Sequence, residues 1–570
     1  MILQRLAQYY ERLAQGDTAS VPQEGFQIKE IRFIIVIDRK GRFLGIDDTR
    51  EGEGKNRRGR LFEVPHEVKR SGKNAWKEAN LLWDNEGYVL GFSANDSQKA
   101  KKQHKSFIQN IEGAFPTPNM DEGISALLTF FKSDHLAEIR KHRTWDDIRE
   151  RGGNISFKLE GDGQLICQRR KVKQIISKIK AKDMGKTKMC LVSGEQDNPA
   201  RLHAAIKGVR GAQTTGANIV SFNLAAFNSY GKEQGLNAPI GEKAVFAYTT
   251  ALNTLLGRDS NQKMQVGDAT TVFWAQKEHP VEAWFADFFL ESRQGSQQDS
   301  EAIKSVYNSP LTGKLPIFKD LTPFYVLGLA PNASRLAVRF WYESTVGETI
   351  RHIRQHFEDI HIIHSEKAPD HLSLFRLLLS IAPLHKAENI PPNLAGEFMF
   401  AVLTGRLYPQ TLLSAAVRRS KAEQDIPYER AAITKAFLSR KSRFYGKDIK
   451  EVGMDLDKSI SSQGYRLGRL FSVLEKIQEE ASPGINATIK DRFYGAASTT
   501  PVSVFPLLLK LKNHHLNKLE YRGRVVNFER LIGEIMAEVD SFPSHLSMDE
   551  QGRFAVGYYH QRQDFFKKKE

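Results

Sequence analysis

The spacing of apolar residues changes along the chain from strand-like to helix-like. Residues 31–37 form an apolar β-branched run, turn residues follow at 38–41, and an extended pattern resumes at 43–46. This order predicts a β-hairpin. Near the C-terminus, apolar residues recur three and four positions apart at 467–477 and again at 528–539, which predicts two amphipathic helices. The sequence therefore predicts an α+β fold, with a β-containing N-terminal region, a mostly helical middle and a C-terminal helical bundle.

The length of the chain predicts more than one domain. At 570 residues it exceeds what one hydrophobic core usually serves. A polar segment rich in Ser and Gln begins near Ser292 and marks one boundary. We expect an α+β region at 1–292, a mostly helical region at 293–450 and a helical bundle at 451–570.

The chain is strongly basic, which limits the classes of partner. Lys and Arg number 83 against 67 Asp and Glu, a formal net charge of +16. Such a balance favours a polyanionic partner, either nucleic acid or an acidic membrane. The sequence contains no run of about 18 apolar residues, which a membrane-spanning helix needs, and its N-terminus lacks a secretory signal pattern. We expect a soluble, cytoplasmic protein.

Cysteine and histidine spacing predicts no metal site and no cofactor. The chain has two cysteines, Cys167 and Cys190, too few for a disulfide framework and not spaced as zinc ligands. His361 and His364 lie three residues apart in a predicted helix, a spacing that places two imidazoles on one face. A metal site needs further ligands at such spacing, and the sequence supplies none there.

The sequence also predicts no catalytic residues. Gly185, Lys186 and Thr187 match the end of a phosphate-binding loop, but Lys180 occupies the position of the loop's first glycine, and the apolar run at 189–192 predicts a strand. Neither a nucleophile elbow, nor a zinc-protease motif, nor the clustered acids of a two-metal nuclease occurs. Because a site can be assembled from dispersed residues, a nuclease or RNA-processing enzyme stays open as an alternative.

Basic clusters alternate with aromatic residues in the first part of the chain. Three clusters lie between residues 55 and 105, and another begins at Arg169. The rings between the first three clusters are Trp76, Trp83 and Tyr88. A single Lys-rich run is often only a solvated face, whereas several runs interleaved with rings match a groove that binds phosphates and stacks bases. The candidates for contact with the nucleic-acid backbone are Arg57, Arg58, Arg60, Lys69, Arg70, Lys101, Lys102, Arg169, Arg170 and Lys171.

Two loops combine side chains that reach base edges with glycines that allow close approach of the backbone. The first is at 70–74, and the second is at 207–216 with Asn218 after it. A tight structural turn is the alternative interpretation of the second loop. The candidates for contact with the bases of a DNA motif are Gly72, Lys73, Asn74, Lys207, Arg210, Gln213, Thr214, Thr215 and Asn218.

Four stretches carry a resemblance to a known family. They are MILQRLAQYYERL at the start, LLWDNEGYVLGF at 81–92, the stretch CLVSGEQDNPARLHAAIKGVRGAQTTGANIVSFNLAAFNSYGKEQGLNAPIGEKAVFAYTTALNTLLG at 190–257, and FYVLGLAPNASRLAVRFW at 324–341. In this order they resemble the large subunit of the type I-C CRISPR effector (Cascade) complex. The resemblance implies a non-catalytic subunit that recognises the target-adjacent motif (PAM) in double-stranded DNA, promotes duplex opening and R-loop formation, and contacts the non-target strand. Guide pairing then tests the rest of the target.

The resemblance also implies partners. They are the CRISPR RNA, the double-stranded target DNA with its displaced strand, the backbone, crRNA-end-binding and small subunits of Cascade, and a recruited helicase-nuclease, but no membrane. Region 1–292 is then the DNA-recognition region, and 451–570 resembles the small subunit, which such systems can translate separately from within the same gene. Met454 is the candidate internal start. A scaffold that grips the crRNA without DNA readout stays open as a second alternative.

Overall fold

The computed structural model describes residues 2–15, 21–52, 57–68, 70, 74–93, 96–117, 121–133, 135–182, 187–290, 319–446 and 452–567. The chain divides into two compact units. Unit 1 comprises Met1–Ala204 and Val220–Thr254, and unit 2 comprises Ala205–Ile219 and Leu255–Glu570. The predicted α+β class is confirmed, with strands in the N-terminal region and helices in the middle and at the C-terminus. None of the described helices is long and apolar enough to span a membrane.

Unit 1 is built from short strands and eight helices among its described residues. In chain order they are α1 (Ile2–Gln15), β1 (Phe26–Glu30), β2 (Phe33–Ile37), β3 (Phe43–Asp48), β4 (Leu61–Pro65), β5 (Trp83–Asp84), α2 (Glu86–Val89), α3 (Ser97–Ala114), α4 (Glu122–Lys132), α5 (Leu136–Arg140), α6 (Trp145–Arg151), β6 (Ile155–Leu159), α7 (Arg170–Lys182), β7 (Lys188–Met189), β8 (Gln196–Asp197) and α8 (Glu242–Leu255).

The predicted hairpin lies in the central sheet of unit 1. The strand order is β3-β2-β6-β5, with β2 antiparallel to β3 and parallel to β6. Asp38 closes the hairpin turn, because its carboxylate accepts the backbone N–H groups of Lys40 (2.9 Å) and Arg42 (2.8 Å). Helix α4 packs against β2 and β6. The apolar run in β2 is therefore almost entirely buried, as expected for a strand paired on both sides.

Unit 2 begins with a four-stranded antiparallel sheet and continues as helices. In spatial order its strands are Arg335–Thr345, Pro323–Asn332, Ala269–Ala275 and Lys263–Val266. The elements are β9 (Lys263–Val266), β10 (Ala269–Ala275), α9 (Val281–Trp284), β11 (Pro323–Asn332), β12 (Arg335–Thr345), α10 (Val346–Ile360), α11 (Leu374–Ile381), α12 (Pro392–Thr404), α13 (Gln410–Glu423), α14 (Tyr428–Tyr445), α15 (Gln463–Ala481), α16 (Ile489–Ala497), α17 (Phe505–Leu516), α18 (Arg522–Met536) and α19 (Met548–Asp564).

The two helices predicted from apolar spacing in the C-terminal region are confirmed as α15 and α18. Helix α15 also crosses α19 closely. A Cβ added to Gly468 would lie 2.0 Å from the carbonyl oxygen of Phe554, and one added to Gly557 would lie 2.2 Å from that of Tyr465. Only glycine allows backbones to approach this closely, so these positions set the contact between the helices.

One hydrophobic core runs through unit 2. It contains residues from the sheet, such as Met264, and residues from the last helix, such as Tyr559. Strand β10 pairs with β11 across residues 291–318, which lie outside the described residues. The division of the chain at 292 and at 450 stays a prediction, and any such division has to accommodate this pairing and this shared core.

The predicted helix at His361 and His364 is wrong. Helix α10 ends at Ile360, and the backbone at His361 is extended, with φ −65° and ψ 116°. The i, i+3 argument for two imidazoles on one helical face therefore does not apply. Within the described residues no group of three or more His, Cys, Asp or Glu side chains is arranged to hold a metal ion.

Candidate nucleic-acid interface

The segment that follows the second predicted basic cluster contacts the helix that carries the third. A short 3-10 helix at Ala75–Lys77 lies against α3. Ser106 Oγ donates a hydrogen bond to the carbonyl oxygen of Lys77 (2.7 Å), and Asn110 Nδ2 donates one to that of Ala79 (2.9 Å). Asn74 is exposed and immediately precedes the 3-10 helix. The structure therefore fixes the segment after Asn74 on one face of α3.

Exposed lysines lie on both elements of this contact. Lys102 lies four residues before Ser106, so the two share a face of α3. Lys77, Lys101, Lys102 and Lys105 are exposed, and within the described residues none of them forms an ion pair. We call Asn74, Lys77, Lys101, Lys102 and Lys105 the α3 surface. It combines an amide, which can bond a base edge, with exposed cations, which suit phosphates.

Arg70 is held by the interior of unit 1. Its guanidinium donates to the Asp84 carboxylate, donates from Nε to the carbonyl oxygen of Glu78 (2.6 Å), and lies 4.1 Å from the centre of the Tyr88 ring. The Asp84 side chain is 2% exposed. Burial raises the pKa of Asp84, and the hydrogen bond from Arg70 opposes that rise. Arg70 thus has an intramolecular role, and its contact with phosphate stays a prediction.

Arg169 and Arg57 also have carboxylate partners within unit 1. Arg169 Nε donates to Asp121 (2.9 Å), and its Nη1 donates to Asp162. Arg57 Nη2 lies 3.5 Å from Asp48. Arg58 and Arg60 are exposed, and Arg60 Nε lies 3.7 Å from the exposed Glu51. The first cluster is therefore partly neutralised by its own neighbours.

Helix α7 presents a second basic face in unit 1. Arg170, Lys171 and Lys178 are exposed, whereas Val172 and Ile176 are buried on the opposite side. Lys173, between them in the chain, forms an ion pair with Glu63 of β4. The predicted candidates Arg170 and Lys171 thus lie on a solvent-facing helix.

The aromatic part of the predicted pattern is wrong for two rings. Trp83 and Tyr88 are each 1% exposed. Trp83 Nε1 donates to the carbonyl oxygen of Pro65 (2.8 Å), and the Tyr88 hydroxyl donates to that of Ala75 (2.8 Å). Protein atoms surround both rings, so they cannot stack on bases. They belong to the core that supports the α3 surface.

The second predicted loop lies in unit 2. Ile206 and Ala217 pair as an isolated bridge that closes the loop, and Val209 is buried inside it. Gly208 has φ +89°, and a Cβ there would lie 2.6 Å from the carbonyl oxygen of Leu256. The loop is therefore anchored as a structural turn. Its exposed side chains are Lys207, Arg210, Gln213, Thr214 and Thr215.

Asn218 follows this loop and continues the sheet of unit 2 along β12. Its N–H donates to the carbonyl oxygen of Ser334 (3.2 Å), and its carbonyl oxygen accepts from Leu336 (2.9 Å). Asn74 belongs to unit 1. Lys69, Gly72, Lys73, Gly185 and Lys186 lie outside the described residues.

Sequence reasoning missed Lys77, Lys105 and Lys178 as candidates. Lys105 belongs to the third basic cluster, and its position three residues after Lys102 places both on one helical face, which was a usable signal. Lys77 follows Trp76 and lies in no basic run. Its place beside α3 depends on the contact with Ser106, which no local pattern reveals.

Comparison with known proteins gives a family match over nearly the whole chain. A family model described as CRISPR-associated protein (Cas_Csd1) matches residues 6–566. No protein with a curated description matches the sequence. The family match includes nearly all of both units.

Proposed function

The chain belongs to the Csd1 family of CRISPR-associated proteins, the large subunits of type I-C effector complexes, and we propose that it recognises the PAM in double-stranded DNA. It then promotes duplex opening and R-loop formation, contacts the non-target strand and helps recruit the helicase-nuclease. Its partners in the cytoplasm are the CRISPR RNA, the target DNA and the backbone, crRNA-end-binding and small subunits of Cascade.

The α3 surface is the observation that supports this proposal best. Recognition of a short motif needs few base contacts and a firm hold on the backbone, because phosphate contacts position a protein and base contacts specify the site. Asn74 supplies an amide at the edge of a group of exposed lysines, among them Lys77 and Lys102, which form no ion pair with any described residue. R-loop formation is nearly balanced in free energy. A few protein contacts with the DNA can therefore decide where the duplex begins to open.

We propose that the subunit binds DNA without cutting it. Family membership as a Cascade subunit supports this assignment, since the family acts within an assembly. Cleavage then belongs to the recruited helicase-nuclease. Divalent-metal-dependent cleavage of target DNA by the purified subunit would contradict this assignment.

The test is binding of the assembled complex to guide-matched duplexes that differ only in the flanking motif. Affinities are measured with and without this subunit, at two salt concentrations. We expect discrimination between motifs to vanish without the subunit. Discrimination that survives its removal would favour the crRNA-gripping scaffold.

Two substitutions separate the roles within the α3 surface. Asn74→Ala should reduce the preference for the correct motif by roughly 5- to 150-fold, the effect of about 1–3 kcal/mol for one base contact. Lys102→Ala should weaken binding to all motifs alike and reduce the salt dependence. Lys141→Ala, at an exposed lysine outside the α3 surface, is the control. Equal losses for every motif in Asn74→Ala would contradict its role.

A further inference from the structure

An exposed tyrosine stands at the tip of a turn in unit 1. The Tyr230 side chain is 96% exposed. Its φ is +50°, and that of Gly231 is +68°. The N–H of Lys232 donates to the carbonyl oxygen of Ser229 (2.9 Å) and closes the turn. Positive φ at both central residues is the requirement of a type I′ turn, whose first central position favours Asn, Asp or Gly.

Folding does not account for a tyrosine at this position. A residue with a Cβ in the left-handed region costs roughly 1–2 kcal/mol. Within the described residues the Tyr230 ring makes no hydrogen bond and no contact with another ring. The side chain therefore adds strain to the turn and no packing. Comparable strain occurs at the exposed Leu384 (φ +57°), so the feature that indicates nucleic-acid binding at Tyr230 is the exposed aromatic ring close to an exposed lysine.

The Asn237 side chain connects the turn to the segment that follows it. The N–H of Ser229 donates to Asn237 Oδ1 (3.2 Å), and Asn237 Nδ2 donates to the carbonyl oxygen of Gln234 (3.0 Å). Gly235 approaches the segment at 200–201, where a Cβ would lie 2.0 Å from the carbonyl oxygen of Ala200. Gln234 also has a positive φ, +45°. The ring is thus presented on a preorganised support.

The chemistry around the ring suits one base of a nucleic acid. An aromatic side chain stacks on any base, and an adjacent cation suits the neighbouring phosphate. Lys232 is exposed two residues after Tyr230. A base within a continuous duplex has both faces covered by its neighbours, so only an unpaired or terminal base offers a free face.

We propose that Tyr230 stacks on a base of the target DNA that is unpaired where the duplex opens. This inference rests on the proposed function, because it assigns a residue to the opened state of the same target. It names residues outside the α3 surface, because Tyr230 and Lys232 belong to the later segment of unit 1, at Val220–Thr254.

The test compares substitutions that leave or improve the turn. Tyr230→Asn suits the left-handed position, so it should maintain or raise the melting temperature of the subunit, yet it should weaken binding of the assembled complex to a guide-matched duplex by roughly 5- to 150-fold. Tyr230→Phe keeps the ring and should bind within about twofold of the wild type.

Leu384→Asn is the matched control. Leu384 is 73% exposed and has φ +57°, so its replacement relieves comparable strain and removes an exposed apolar side chain without removing a ring. It should leave DNA binding unchanged. A fluorescent adenine analogue, 2-aminopurine, placed in the displaced non-target strand opposite the first guide-matched positions provides a direct readout, because stacking on Tyr230 should quench its emission and Tyr230→Asn should restore it.

The outcomes separate this inference from the proposed function. If the wild-type complex discriminates between motifs while Tyr230→Asn binds and quenches as the wild type does, the stacking role is overturned and the proposed function stands. Unfolding of Tyr230→Asn would also overturn it, because the ring would then be structural. If the wild type does not discriminate between motifs, the proposed function fails. Unchanged quenching in Tyr230→Asn would overturn the stacking role whatever the result for the motifs.

Discussion

Arg70 neutralises a carboxylate that the core of unit 1 has taken out of water. Asp84 also accepts backbone N–H groups from Asn80 (2.9 Å) and Asn85 (2.8 Å), but Arg70 is its cationic partner. Arg70→Ala should therefore lower the free energy of unfolding by about 3 kcal/mol near neutral pH, the cost of leaving a buried charge without its partner. Urea denaturation of the variant and the wild type measures this loss.

The pH dependence of that loss follows from the raised pKa of Asp84. Burial penalises the ionised carboxylate, so stability is greater when Asp84 is protonated and is lost as the pH rises through its pKa in the folded state. Removal of Arg70 increases this penalty. The deficit of Arg70→Ala should therefore shrink as the pH falls toward 4. An equal deficit at pH 4.5 and pH 7.5 would contradict the pairing, and the exposed Lys102→Ala is the control.

His560 makes unit 2 sensitive to acid. The side chain is fully buried, and its Nδ1 lies 2.9 Å from the Tyr465 hydroxyl. Burial lowers the pKa of His560 from 6.5 to about 4. The unfolded chain therefore binds the proton first, and His560 alone should lower the stability by about 3 kcal/mol as the pH drops from 6.5 toward 4.

Replacement of this histidine tests the assignment. His560→Gln removes the titrating group, so unfolding measured between pH 4 and pH 7 should show a flatter slope than in the wild type. His514→Gln, at an exposed histidine of α17, should leave the slope unchanged. An identical slope in His560→Gln and the wild type would show that other groups carry the acid sensitivity.

At the scale of elements, α3 and α7 each have a basic face. The number of phosphate contacts that each face makes can be measured from the salt dependence of DNA binding. Loss of one phosphate contact should reduce the slope of log affinity against log salt by about 0.9. Replacement of Lys101, Lys102 and Lys105 by Gln should therefore reduce the slope by up to about 2.7 if all three contact phosphates. Titrations of guide-matched duplex at several salt concentrations measure it.

The corresponding triple variant of α7 distinguishes the contribution of each helix to DNA binding. Arg170, Lys171 and Lys178 are replaced by Gln in the same complex, which changes the charge by the same amount on another exposed face. A helix whose triple variant keeps the wild-type slope is a solvated face and not part of the interface. Retention of the slope by both variants would contradict the proposed role of the basic surface.

At the scale of the whole molecule, the C-terminal helices share contacts with the rest of unit 2. Lys441 Nζ of α14 lies 2.7 Å from Asp549 of α19, and Gly552 of α19 lies against Leu413 and Thr434 of earlier helices. A product that begins at the proposed internal start, Met454, lacks α13 and α14. When made alone it should expose this face of α19 and self-associate, as measured by size-exclusion chromatography. A stable monomer would show that residues 454–570 form a self-sufficient domain.

The use of the internal start is tested in the full gene. Met454 is half-exposed, and its carbonyl oxygen accepts a hydrogen bond from Ile363 (2.9 Å), which a different side chain leaves intact. Met454→Leu with a C-terminal tag should therefore preserve the long product and remove the short one. A short product that persists in this variant would exclude Met454 as the start.

The sequence by itself determined the fold class, the hairpin at β2 and β3, and the helices α15 and α18, because apolar spacing reports which face of a local element is buried. It also determined the family, through stretches spread along the chain. Only the tertiary structure decided which members of a basic cluster are exposed and able to bind a phosphate. Arg169 is paired with Asp121, 48 residues away, whereas Lys101 and Lys102 face solvent.

The same limit explains the remaining differences. Trp83 and Tyr88 follow basic clusters in the chain, yet both are core residues, because burial depends on contacts with distant segments such as the one containing Pro65. Tyr230 carried no sequence signal, since its proposed role depends on an exposed ring at a positive φ. Local periodicity is encoded within a few residues, whereas pairing, burial and backbone strain arise only when segments far apart in the chain come together.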